Sequence, residues 1–390
     1  RRARPMPNGL FITLEDERSL ALYLREGVFS QHQGAQLDDT VHHSSNHYKI
    51  LADYACARPG THVFFFRNRT IYYGGQIQSD GDPKTGAFYL NGPTSPMGRR
   101  ADAGLGWDET TRSDFTPNDD TPGTFERQTR NGTATYAQPF VLRFDTSVPD
   151  AGAKIRSDDL YFELGDYPFP FQSNTIRGSG FVPLGPGETR ILRTQLREAT
   201  ETYDPRENEV DVPDVRLDVG ALEPYQPEYG VQALSRDTLT SEAHLEASVI
   251  ANPALLPDAL QPASDVSVVR QAPISPLKPM QVDAVDIAYY HPDFEDGLYP
   301  QRILELKYTT ASSGPDGDAG QIERYRTAID KMATHYLDPE PDAFDVGMLA
   351  PQYARDFGAT LSDSTRTRVT FRQYDATPDT PAFTSTLSDH

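Results

Sequence analysis

The stretch Arg302-Ile303-Leu304-Glu305-Leu306-Lys307-Tyr308 decides the fold of the C-terminal half. It is an apolar run carrying an acid and a base two positions apart. As a strand, its period-two alternation sets Glu305 and Lys307 on one face and turns Leu304 and Leu306 into a core on the other. Upstream, Val282-Asp283-Ala284-Val285-Asp286-Ile287 is a second apolar strand with an Asp near its end. A helical segment further upstream carries Glu242 and Glu246, and another downstream carries Gln321 and Tyr325. A carboxylate-rich site with one lysine is what metal-assisted phosphodiester hydrolysis requires.

Around that stretch the pattern is α/β. Thr240 or Ser241 caps a helix whose first turn holds Glu242, where the helix dipole favours an acid. Leu245 and Val249 form its buried stripe, and Asn252-Pro253 stops it after Ala251. Strands are expected over 266–270, 283–290 and 302–307, followed by a Gly/Asp/Ser loop over 312–319 and a helix from about 320 to 336. Final strands are expected over 346–350 and 368–374. Helix, three strands, helix and strand make an α/β core with a mixed sheet.

The N-terminal half is expected to be mostly β. Residues 9–14 predict a strand and 16–25 a helix. Residues 48–56 predict a short helix, and Arg58-Pro59-Gly60-Thr61 a turn. Val63–Phe66 and Thr70–Ile77 then form a hairpin about Arg67-Asn68-Arg69. Strands are expected over 137–144 and 160–164, and a strand or short helix over 188–195. His43 and His47 have the spacing of a zinc-binding helix, but the Glu of the metalloprotease pattern is missing between them. They read as a polar loop or helix start. Trp107 lies in a Gly, Pro, Asp and Thr-rich insertion, where it either anchors the loop or stacks on a base. Acidic and proline-rich residues 201–236 read as a linker. The expectation is a two-domain α+β chain: a β-rich, barrel-like recognition domain over 1–200, the linker, and an α/β domain over 237–390.

The chain has 390 residues, a net charge of −21 and a single cysteine, Cys56, which excludes an intramolecular disulfide and a cysteine zinc site. No apolar run approaches membrane-spanning length, so no membrane partner is expected and a cytoplasmic location fits. Lysine occurs only at 49, 84, 154, 278, 307 and 331, while acids are spread along the whole chain. That pattern fits a high-salt, halophilic cytoplasm. There a Debye length of about 3 Å or less screens the acidic protein from DNA.

The blocks Ser241-Glu242-Ala243-His244-Leu245-Glu246, Asn252-Pro253-Ala254-Leu255-Leu256, Asp286-Ile287, Ile303-Leu304-Glu305-Leu306-Lys307 and Gly320-Gln321-Ile322-Glu323-Arg324-Tyr325 resemble, in order, the PD-(D/E)XK nuclease superfamily. The branch they are most similar to is that of archaeal NucS or EndoMS endonucleases. The resemblance implies a restriction-endonuclease-like domain, a DNA substrate, Mg²⁺ or Mn²⁺ as cofactor, and in many members a homodimer. It prefers Asp286 to Asp283 as ligand, because the family block sets the Asp directly before an aliphatic residue. Asp286 and Glu305 are hard oxygen ligands, with the Leu306 carbonyl completing the set. Lys307 stands near the attacking water or the phosphate. Glu246 is expected to hold a second metal or a water on the metal. Gln321 and Tyr325 share a helix face and support the lysine or touch the phosphate. Residues 1–230 do not align to the smaller N-terminal domain of those endonucleases, and the loop from Tyr289 to Gln301 is long. Cleavage chemistry therefore carries over, whereas mismatch or flap specificity does not. Residues 48–77 resemble PUA-like barrels of the EVE and ASCH groups, whose pockets bind RNA or modified bases. Repair and restriction or defence both suit such a chain. The competing expectations are a non-catalytic nucleic-acid-binding protein that keeps the nuclease fold, and an RNA-directed nuclease.

Overall fold

A computed structural model describes residues 8–14, 17–30, 33–34, 45–77, 88–90, 115–117, 124–129, 132–137, 140–163, 181–205, 207, 223–224, 231–263, 266–273, 284–294, 297, 299–336 and 344–374. His43, Trp107, Asp283 and most of the 201–236 linker lie outside these residues. The architecture is mixed α+β, with sheets of ten, five and four strands among the described residues.

The largest sheet runs in the order Phe181–Leu184, Gly9–Thr13, His62–Arg67, Thr70–Ile77, Phe140–Asp145, Phe88–Leu90, Glu223–Pro224. Gly9–Thr13 runs parallel to His62–Arg67, and the other pairs on this path are antiparallel. The expected hairpin about Arg67-Asn68-Arg69 is present. Asn68 and Arg69 both take positive φ, 47° and 60°, as a two-residue turn between twisted strands demands. Gly75 sits at φ 138°, and a Cβ there would come within 2.1 Å of the Asp145 carbonyl oxygen, so only glycine fits. The strand expected over 160–164 is a helix instead, Ser157–Glu163. Asp158 and Asp159 in its first turn favour a helix start, and that local signal outweighs the strand propensity of Tyr161 and Phe162. The segment 188–195 is part of a helix, Pro186–Glu198.

The five-stranded sheet has the order Ser267–Pro273, Ala284–Tyr290, Arg302–Leu306, Asp345–Ala350, Val369–Gln373. The first two pairs are antiparallel and the last two parallel, which is the mixed sheet the sequence predicts. The helix Asp318–Tyr336 buries Ala319, Ile322, Tyr325 and Ile329 in the same core as Val269, Ala288 and Ile303.

The helix Glu242–Ala251 is buried on all sides from Ala243 to Ile250, not along a single stripe. It packs on the helix Ser45–Cys56, where Tyr48 stacks on His244 with ring centroids 3.8 Å apart. One hydrophobic core thus runs from Leu10 through Tyr54 and Leu245 to Tyr374. Asn8 Nδ2 donates to the Val268 carbonyl at 3.2 Å across the same interface. Arg270 carries the charge there. It grips Glu246 with Nε (2.9 Å) and Nη2 (2.7 Å), and its Nη1 donates to Asp53. All three side chains are buried. Burial pushes the Asp53 carboxyl up to about 6 although Arg270 opposes it. Replacing Arg270 with Leu strands two buried acids, whereas Asp53→Leu leaves the Arg270–Glu246 pair intact. In urea unfolding Arg270→Leu is therefore expected to cost about 3–5 kcal/mol, and Asp53→Leu clearly less.

His62 is also buried, with Nδ1 2.9 Å from the Tyr73 hydroxyl. Arg193 lies over the same Tyr73 ring, 3.6 Å from its centroid. Burial, then the charges of Arg193 and Arg197, push His62 from 6.5 down to about 4. Between those values the unfolded chain binds the extra proton, so this residue's contribution to stability is present above pH 6.5 and lost as pH falls towards 4. Urea titrations of the native protein and His62→Gln are expected to show the native protein losing ground to the variant between about pH 7 and pH 5. A difference that stays constant with pH contradicts the assignment.

Candidate active site

The antiparallel register pairs Ile287 with Leu304, so one step on Asp286 comes opposite Glu305. Both carboxyls face away from solvent; Asp286 is 8% exposed and Glu305 2%. Asp286 sits where the ladder stops, and its Oδ2 takes the Leu306 N–H at 2.7 Å in place of a strand partner. Its Oδ1 takes Gln271 Nε2 at 3.1 Å. Glu305 Oε1 takes Lys307 Nζ at 2.6 Å, and Oε2 lies 2.9 Å from the Tyr325 hydroxyl. That hydroxyl also lies 3.0 Å from the Ala284 carbonyl and accepts from Gln321 Nε2 at 2.5 Å. The expected sharing of one helix face by Gln321 and Tyr325 thus sets Tyr325 against Glu305 and Gln321 against the Tyr325 hydroxyl.

Lys307 is surrounded by acids: Glu305, then Asp318 at 3.6 Å and Glu242 at 3.9 Å. Asp318 is itself fixed by the Ser312 N–H and hydroxyl, both at 2.7 Å. Desolvation pushes Glu305 up to about 7 despite its lysine. Desolvation and then the Glu305 and Glu246 charges raise Asp286 well above the carboxylate range. Glu242 is raised by burial. Burial pulls Lys307 down, but the carboxylates around it win and raise it. Lys307 therefore stays an ammonium, among carboxyls that burial holds towards their neutral forms.

Glu246 stands apart from that pattern. Both of its oxygens accept from Arg270, with Gln271 Nε2 3.5 Å from Oε1. Among the described residues no group of three or more His, Cys, Asp or Glu side chains is arranged to hold a metal ion. The donor set that suits a divalent cation is the pair Asp286 and Glu305. These are hard oxygens, buried side by side, and each oxygen has one protein donor and a second lone pair left over. For Leu306 the contact seen is its N–H on Asp286, not its carbonyl.

Sequence inspection missed Asp53, Arg270, Gln271 and Asp318. Asp318 has a local signal, since it opens the helix that carries Gln321 and Tyr325. Asp53 and Arg270 are 217 positions apart, and no sequence pattern connects them.

No family model matches the sequence, and no curated protein matches it. Among solved structures the chain is similar to a repair endonuclease from Pyrococcus abyssi, at 18% identity and a TM-score of 0.23. The match covers 34% of this chain and 46% of the endonuclease, so the chain spans less than half of that protein's length. A superposition this loose does not define a common fold, and the site stands on its own geometry. Among the described residues no helix is long and apolar enough to cross a membrane.

Proposed function

We propose that the chain is a metal-dependent endonuclease that hydrolyses phosphodiester bonds in DNA. The observation that carries this reading is the burial of Asp286 opposite Glu305, with Lys307 on one Glu305 oxygen and Tyr325 beside the other. Asp286 and Glu305 would hold Mg²⁺ or Mn²⁺, which would supply a Lewis acid for the phosphate and neutralise charge that develops there.

The protein's own groups do the rest. Lys307 is too strongly held in its charged form to act as a base, so it serves as a fixed cation and hydrogen-bond donor towards the phosphate. Tyr325, backed by Gln321, keeps Glu305 from rotating towards the lysine with both oxygens. The Leu306 N–H does the same for Asp286. Glu246 acts through Arg270 and Gln271, behind the reacting groups. The acidic surface opposes DNA at low ionic strength, and high salt removes that penalty. The N-terminal half then selects the substrate, as a PUA-like base reader would, and paired cuts on a duplex need two copies of the chain. Either repair or restriction employs such an enzyme in a salt-rich cytoplasm.

The test is a cleavage assay in concentrated KCl with labelled single-stranded, duplex, mismatched, flapped and base-modified DNA, and with RNA. Mg²⁺ or Mn²⁺ is expected to support cutting and EDTA to abolish it. Asp286→Asn and Lys307→Ala are each expected to lower the rate by about 100- to 1,000-fold. Tight binding with no cutting of any substrate would replace the enzyme with a nucleic-acid-binding protein. Preference for RNA would replace DNA as the substrate.

A further inference from the structure

Gln271 lies inside the strand Ser267–Pro273 yet has φ 49°, in the left-handed region that a glutamine seldom enters. Its neighbours keep register, Arg270 with Ile287 and Ala272 with Val285, so Gln271 stands opposite Asp286. The regular pairing is interrupted only at that step. In an uninterrupted strand, consecutive side chains point to opposite faces. Here Arg270 and Gln271 both reach Glu246, the first with Nε at 2.9 Å and the second with Nε2 at 3.5 Å. The left-handed backbone at Gln271 is what breaks the alternation. Gln271 itself stays exposed, yet its side-chain amide reaches the buried acid and donates to Asp286 Oδ1 at 3.1 Å.

Two anchors hold that conformation in place. Arg270, the preceding residue, is locked between Glu246 and Asp53. On the other side Ala272 is buried in the sheet core. The helix Ser45–Cys56 of the N-terminal half thus reaches Asp286 through Asp53, Arg270 and Gln271.

We propose that Gln271 is a positioning residue for Asp286. Its strained backbone is maintained because it aims the side-chain amide at Oδ1 and leaves that oxygen's second lone pair open to a divalent cation. The proposal rests on the reading of Asp286 as a cation ligand.

Two variants test it, Gln271→Gly and Gln271→Asn, each with three readouts: melting temperature without metal, Mn²⁺ affinity from the electron paramagnetic resonance signal of the free ion, and the kinetics of cleavage. Glycine accepts the left-handed φ, so Gln271→Gly is expected to melt at the same temperature or a few degrees higher. Its Mn²⁺ affinity is expected to fall by about 10- to 100-fold, and kcat with it, while KM for the nucleic acid holds. Asparagine also tolerates the backbone but is one methylene short, so it is expected to lose Mn²⁺ affinity as glycine does. Mn²⁺ affinity within twofold of the native value in both variants would overturn the proposal, as would a native protein that binds no Mn²⁺. A native protein whose Mn²⁺ binding depends on Gln271 but which cuts no nucleic acid would support the proposal and overturn the nuclease reading alone.

Discussion

Two carboxylates buried opposite each other on adjacent strands repel, and each resists losing its hydration. Asp286 and Glu305 are in that position, and the surrounding elements supply what makes it tenable. The strand of Glu305 contributes the Leu306 N–H and, just beyond its end, the Lys307 ammonium. The helix Asp318–Tyr336 contributes Tyr325 and Gln321, and the edge strand contributes Gln271. Every oxygen of the pair has a donor, yet among the described residues Lys307 is the single cation in contact with it, and Glu242 and Asp318 share that lysine. A divalent cation between the two carboxyls would relieve the imbalance that burial creates.

The second charged cluster supports the first from behind. Arg270 between Asp53 and Glu246 is a buried triad with one more acid than base. Buried ion groups of this kind contribute less to stability than to fixing one arrangement, and here the loss of Arg270 alone leaves both acids without their partner. Here the arrangement fixed is the approach of the helix Ser45–Cys56 to the helix Glu242–Ala251 and to the edge of the five-stranded sheet. The N-terminal half is therefore part of the wall behind the site.

The C-terminal sheet was legible in the sequence because its strands alternate or run apolar between clear breaks. Leu304 and Leu306 go into the core as period two requires, and Glu305 and Lys307 meet on the other face. The Asn68-Arg69 hairpin was legible from its turn residues. The helix Ser157–Glu163 was not, because Tyr161 and Phe162 suit a strand and the decisive signal lay in two acids just ahead of them. Glu246 was visible as a candidate acid, but its partner Arg270 is 24 residues away and its capture by that guanidinium depends on tertiary packing. Gln271 carries no sequence signal at all. Its importance comes from a backbone angle and from the strand register that sets it against Asp286.

The most direct measurement is a crystal structure of the protein soaked with Mn²⁺, with data collected at the manganese absorption edge. The account predicts an anomalous peak at the carboxylates of Asp286 and Glu305, with Arg270 still paired to Glu246. A peak centred on Glu246 with Arg270 displaced, or no peak at the pair when the ion saturates the protein in solution, would contradict it.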